Sequence, residues 1–253
     1  GDTLNGNGGT DTFTFAVANL TALDTVAGGS GTDNITFTGT GTVSDADLGG
    51  VTSVETINTA NANATITLGA NAAAAGVKTL NLVASSNTNS VTVNAEMTNA
   101  LTVSMVANTD TISAAAYTGA FTATILDTNL TTADTITGGT GSSDTLTVTF
   151  GNTALTATDM TNVSAIETIK SASNATGGLT LADANIVAAG SMTINAAKNT
   201  SAAFTLDAAL ELDGTITYVG GAGVDTVTGG AKNDTIDGKA GDDVITGGKG
   251  VDS

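Results

Sequence analysis

Four aspartates, Asp225, Asp234, Asp243 and Asp252, follow one another at intervals of nine residues. Each closes a glycine-rich run: from Gly220 the chain reads GGAGVDTVT, GGAKNDTID, GKAGDDVIT and a truncated GGKGVDS. Glycine at the first, second and fourth positions permits a tight turn that directs backbone carbonyls inward. The aspartate at the sixth position adds an anionic oxygen. Calcium is a hard cation that takes about six to eight oxygen ligands, and carbonyls with carboxylates supply them. The apolar residue at the eighth position (Val227, Ile236 and Ile245) is expected to point into a narrow core from a very short strand. Lys232 and Lys239 each stand where the pattern has glycine.

The same pattern surfaces elsewhere. The chain opens on GDTLN, with Asp2, followed by GNGGTDTFT, with Asp11. A lone GGSGTDNIT ends in Asn34-Ile35-Thr36 and carries Asp33, and GGTGSSDTLT, one residue longer before Asp144, begins at Gly138. Tandem copies are a strong signal; for the lone Asp33 and Asp144, a calcium ligand and a plain turn-capping aspartate remain equal readings. The sequence starts and stops inside a repeat, as a piece of a longer polypeptide would.

The elements that must position these turns repeat on a longer scale. GVTSVETI (50–57) returns as NVSAIETI (162–169), each after a Gly-rich nonapeptide and before an Ala- and Asn-rich stretch. The offset drifts from 110 to 112, the latter between Glu55 and Glu167, which reads as a duplication of a unit of roughly 110 residues. Short alternating segments recur between the Gly-rich blocks: TITL (65–68), TLNL (79–82), SVTV (90–93), LTVSM (101–105), DTIS (110–113) and FTATI (121–125). Alternation with Thr and Val is the signature of half-buried strands, and no helical stripe is sustained. One helical turn is expected over the alanines at 72–75. Strands this short and regular suit a β-solenoid better than a β-sandwich, and the absence of proline suits uninterrupted ladders.

Composition removes whole classes of function. With no Cys, His, Trp, Pro or Arg, the chain has no thiol nucleophile, imidazole base or Cys/His metal site. The net charge of −18 repels nucleic acid phosphates and anionic membranes and attracts cations. Hydrophobic content of 40%, with Thr at about a fifth of all residues, argues against disorder in calcium. No apolar run approaches the roughly 18 residues of a membrane span. Glu55 and Glu167 hold equivalent places in the duplicated unit and read as structural rather than as an acid–base pair. The six Phe mostly sit in strand-like segments and read as core, so a carbohydrate-binding aromatic platform is disfavoured.

The nonapeptide block resembles the repeats-in-toxin (RTX) family of parallel β-rolls, found in type I-secreted proteins of Gram-negative bacteria. The resemblance implies an all-β, right-handed parallel β-solenoid with calcium-binding roll segments and two nonapeptides per coil. Asp225 and Asp243 would then face one calcium, and Asp234 and Asp252 another on the opposite side. Carbonyls of Gly221, Gly223, Gly230 and Gly241 are further candidate ligands, while Asp2 and Asp11 are expected to have their stacking partners outside the sequence. Residues 220–253 are expected to be disordered at sub-micromolar calcium and to fold at extracellular levels. Four stretches follow: 1–36, calcium repeats entering the solenoid; 37–137, a Thr/Ala-rich β-solenoid unit; 138–219, its shortened second copy; and 220–253, the nonapeptide roll.

VTSVETIN and VSAIETIK also resemble segments of RTX-bearing bacterial surface-layer (S-layer) proteins. That likeness implies an extracellular, non-enzymatic structural protein that self-associates into a lattice or array, with any polysaccharide anchor outside these residues. A stalk of a large secreted adhesin or biofilm protein, and a calcium module of a secreted enzyme, remain open alternatives.

Overall fold

Alternating apolar and β-branched residues dictate extended backbone with one buried face, and the chain resolves that requirement by stacking coil on coil. The computed structural model describes residues 1–83 and 88–253. The described strand pairs run parallel, in the register of a β-solenoid. The expected segments are strands, among them Thr79–Asn81, Thr88–Val93, Leu101–Ser104, Thr109–Ser113 and Phe121–Leu126. TITL proves to be the end of a longer strand, Thr56–Leu68. Its beginning pairs with Thr79–Asn81 and its end with Ser90–Val93, so on the side of the following coil one strand serves two neighbours. The alanine run forms the helix Ala70–Ala75, which stops at Gly76 with φ of 101°. Asp45, from an earlier coil, accepts the N–H groups of Gly69, Asn71 and Ala72 at its start.

The chain forms two compact units, Gly1–Ala123 with Gly138–Gly141, and Thr124–Thr137 with Ser142–Ser253. In the first, the register aligns Phe13, Ile35, Ile57, Leu80 and Val103 in one column. The last four are fully buried. Outward-facing asparagines form a matching ladder, Asn81 donating to Asn58 (2.9 Å) and Asn58 to Asn34 (3.2 Å). In the second unit the columns are Leu146, Ile169, Ile194, Tyr218 and Ile236, and Leu179, Leu206, Val227 and Ile245. Phe150 meets Phe204 edge-on at 5.4 Å, and Phe204 stacks on Tyr218 at 6.2 Å. Five of the six phenylalanines are buried and Phe13 is half-buried, as core residues should be.

Coil length is not constant. In the first unit, Thr12, Asn34, Thr56, Thr79 and Thr102 stack one above the other at a nearly even stride. In the second, Thr168 stacks on Thr193, a longer step, whereas Thr217 stacks on Thr235 and Thr226 on Val244, a much shorter one. Val227 is buried and Ile236 half-buried, but Ile245, expected to point into the core, is 46% exposed. It lies in the last coil, which has a neighbour on one side alone.

The 110-to-112 offset of the sequence recurs in the strands. Thr25–Ala27 is matched by Thr135–Thr137, and Val51–Thr52 by Val163–Ser164. The residues that follow, Ser53 and Ala165, both adopt the left-handed region, at φ of 53° and 52°.

Phe204 links two aromatic neighbours in the column that precedes the short coils. Phe204→Ala is expected to destabilise its unit by about 3–5 kcal/mol, from the lost burial and the cavity left behind. Urea denaturation in saturating calcium measures this, and a loss of less than about 1 kcal/mol would contradict the packing described.

Candidate metal sites

The nonapeptide strands are three residues each: Thr226–Thr228, Thr235–Asp237 and Val244–Thr246. Each follows directly on its aspartate, so the carboxylate sits at the mouth of a turn. The Asp225 N–H donates to Asp243 Oδ1 at 2.8 Å, and the Asp234 N–H to Asp252 Oδ1 at 2.9 Å. The expected partners, 18 residues apart, are thus brought together, one pair against each of two sheets. One coil earlier, Asp225 Oδ1 accepts the Phe204 N–H and Asp234 Oδ1 the Ile216 N–H. The second oxygen of each folds back on its own turn, to the N–H of Gly221 (3.2 Å) and of Gly230 (2.7 Å).

The first unit repeats this arrangement with a longer stride. The Asp2 N–H donates to Asp24, Asp11 to Asp33, and Asp33 to Glu55, each across 22 residues at 2.7–2.9 Å. Asp2 and Asp11, expected to find their stacking partners outside the sequence, thus have one partner each within it, Asp24 and Asp33, on the side of the following coil. The carboxylate stride here is 22 residues, so the nonapeptide stride of 18 misses their partners. In the second unit the Asp144 N–H donates to Glu167 Oε2, 23 residues on, at 2.9 Å. Glu55 and Glu167 are equivalent, as expected, and both end a carboxylate-to-amide link. Asp2 is exposed, whereas Asp33 and Asp144 are fully buried.

Glycine is required where these carboxylates close the turn. A β-carbon on Gly220 would lie 2.5 Å from Asp225 Oδ2 and 2.4 Å from the Gly238 carbonyl oxygen. The same convergence holds for Gly229 with Asp234 and the Gly247 carbonyl, and for Gly6 with Asp11 and the Gly28 carbonyl. At Gly28 the two oxygens are Asp33 Oδ2 and the Ser53 carbonyl. In the first unit, Asp11 Oδ2 and Asp33 Oδ2 are buried without a hydrogen-bond partner. A carboxylate oxygen in that state is costly unless a cation meets it. A pocket of carbonyl and carboxylate oxygens, with buried oxygens to spare, fits a hard divalent cation.

The profile of the RTX calcium-binding nonapeptide repeat (4 copies) matches residues 1–16 and 219–253. Both ends of the chain carry RTX repeats. These repeats bind calcium, belong to a non-catalytic calcium-binding family and are typical of extracellular proteins. No curated protein and no solved structure matches the chain significantly. Among the described residues, no helix is long and apolar enough to cross a membrane.

Within the RTX repeats, the structure modifies the expected carbonyl set. The Gly221 and Gly230 carbonyls accept the N–H groups of Ala240 (3.2 Å) and Lys249 (3.0 Å) in the next coil, which leaves each one further lone pair. The Gly223 carbonyl lies against Gly241, whose φ of 132° needs glycine. Lys239 takes the left-handed conformation itself, at φ of 68°, like Asn7 at the same place in its repeat (68°). Its ammonium lies 2.6 Å from Asp237 Oδ2.

Electrostatics reflect stacked like charges. Burial pushes the Asp234 carboxyl up, and neighbouring Asp252 adds to it. Burial likewise pushes Glu167 up, with Asp144 contributing. Asp24 differs: the N–H groups of Asp2 and Thr21 hold its carboxyl below the usual range. Sequence reasoning missed Asp24 altogether and gave Glu55 no place beside Asp33. The signal was present as an even stride through positions 2 and 24, and through 11, 33 and 55.

Gly238 separates the turn from its neighbours: a β-carbon there would lie 2.3 Å from Asp243 Oδ2. Gly238→Ala is expected to displace that carboxylate and raise the calcium needed to fold residues 220–253 at least tenfold. Gly39, at φ of 80° with nothing within 4 Å of its β-position, is the contrast. Gly39→Ala should cost about 1 kcal/mol of backbone strain and leave the calcium midpoint unmoved. Circular dichroism during a calcium titration reads both, and equal midpoints for the two variants would refute the turn geometry as the cause.

Proposed function

We propose that the chain is a structural module of a bacterial cell-surface layer, an S-layer, that uses calcium to fold, stiffen and self-assemble. Calcium would be held by Asp225 with Asp243 and by Asp234 with Asp252. Asp11 and Asp33 would do the same in the first unit, with Asp2 and Asp144 at the margins of their columns. Carbonyls of Gly221, Gly223, Gly230 and Gly241 complete the candidate ligand set. The observation that carries this reading is the coil-to-coil carboxylate link. An ion held there ties each coil to the next, so calcium acts on the stiffness of the stack rather than on a reaction. The Asn ladder on the coil face of the first unit offers polar groups for lateral contact between copies. The likeness of VTSVETIN and VSAIETIK to S-layer segments supports the lattice.

One observation favours a second reading, the stalk of a large secreted adhesin. The strands Val51–Thr52 and Val163–Ser164, and the left-handed residues Ser53 and Ala165 after them, recur as they would in a linear array of modules.

Negative-stain electron microscopy of the purified chain, in chelator and then in millimolar calcium, separates the two. The lattice reading predicts ordered sheets in calcium alone. End-to-end strings would favour the stalk, and dispersed single particles across all protein concentrations in calcium would contradict self-assembly. Asp225→Asn with Asp243→Asn should raise the calcium midpoint for folding of residues 220–253, and an unchanged midpoint would remove these two residues from the ligand set.

A further inference from the structure

Three carboxylates outside the RTX repeats meet in the second unit. One oxygen from each of Asp183, Glu211 and Asp213 lies within 4.8 Å of the other two. They reach this point from two successive coils, Asp183 from the short turn Asp183–Asn185 and the other two from the turn after the strand Phe204–Leu210. Glu211 is fully buried. Its Oε1 is engaged by the N–H groups of Gly214 (2.8 Å) and Asp213 (3.2 Å), which fixes the side chain in place. Its Oε2 is buried with no hydrogen-bond partner, and so is Asp213 Oδ1. Asp183 is exposed and holds the coils together by accepting the Leu212 N–H on Oδ1 at 2.9 Å.

Hydrogen bonding therefore accounts for how the cluster is built, but not for its two buried, unpartnered oxygens. Among the described residues, no lysine answers the charge: the ion pair of Lys239 goes to Asp237. Three carboxylates this close repel one another, and burial with the neighbouring Asp183 and Asp213 pushes the Glu211 carboxyl up, so a cation between them would relieve the strain.

We propose that Asp183, Glu211 and Asp213 bind a calcium ion at a site separate from the nonapeptide turns. All donors are oxygens, in a chain without Cys or His, which selects a hard cation. Calcium takes about six to eight oxygens and accommodates several carboxylates, whereas magnesium keeps most of its waters and is usually held by one or two, so three converging carboxylates suit calcium. The place of the site gives it a consequence. The Glu211 carbonyl accepts the Ala231 N–H at 2.9 Å, so the Glu211 turn is the platform on which the Gly229–Ala231 turn of the RTX roll stacks. An ion here fixes the coil that the roll builds upon.

The test counts calcium ions on the intact chain by native mass spectrometry in millimolar calcium, with a parallel calcium titration by calorimetry. Asp183→Asn is the primary variant, because it is exposed and its amide oxygen can still accept the Leu212 N–H. It should bind one ion fewer than the unaltered chain, or bind that ion at least tenfold more weakly. Glu211→Gln should do the same, and the loss should add to that of Asp225→Asn with Asp243→Asn. An unchanged count and unchanged affinities in Asp183→Asn would overturn the proposal, whether or not Glu211→Gln folds. A loss in the Asp225/Asp243 variant that leaves this ion in place would keep the two sites distinct.

Discussion

The interaction on which the structure depends is the bond from an aspartate N–H in one coil to a carboxylate in the next. It recurs from Asp11 through Asp33 to Glu55, from Asp144 to Glu167, and from Asp225 to Asp243. A neutral side chain could accept the same bond without stacking charge on charge. The carboxylate does both, so each added coil gains a charge-assisted hydrogen bond and also brings another negative group into the column. Glycine is needed at the turn because a β-carbon there would meet the carboxylate and the carbonyl oxygen of the adjacent coil. A cation bound between these carboxylates would relieve the repulsion and couple calcium to the fold.

The balance between core and ion shifts along the second unit. Its longer coils enclose Leu146, Ile169 and Ile194, all essentially buried. A fully buried side chain of this size contributes about 1.5–3 kcal/mol. The shorter nonapeptide coils offer Ile236 half-buried and Ile245 nearly half exposed. Their turns are rich in glycine, which loses the most conformational freedom on ordering. Ordering of these glycine-rich turns would therefore draw on a bound ion. The coils before them are held by apolar packing, with Phe150, Phe204 and Tyr218 as an aromatic cluster.

Much of this was legible in the sequence, and the limits have physical causes. Asp225, Asp234, Asp243 and Asp252 could be paired because two nonapeptides fix the stride of a coil. Strand positions followed from alternation, as at Thr109–Ser113, where the burial itself alternates. The longer stride of the first unit was hidden because Asp24 follows a stretch with no glycine signature, and because Glu55 stands where a repeat would carry aspartate. The length of Thr56–Leu68 was obscured by a run of Asn and Ala that carries no alternation of its own. The cluster of Asp183, Glu211 and Asp213 depends on the long coil that leads from Gly177 to its register partner Phe204, a stride no motif announces.

Amide hydrogen exchange at Asp225 and Asp234, in chelator and in calcium, addresses the central claim most directly. Both amides donate to the carboxylate of the next coil. The account predicts slow exchange at both in calcium and fast exchange in chelator, while Ile194 and Leu206 stay protected in either condition. Equal protection of Asp225 and Asp234 with and without calcium would show that the carboxylate columns hold without the ion, and would contradict it.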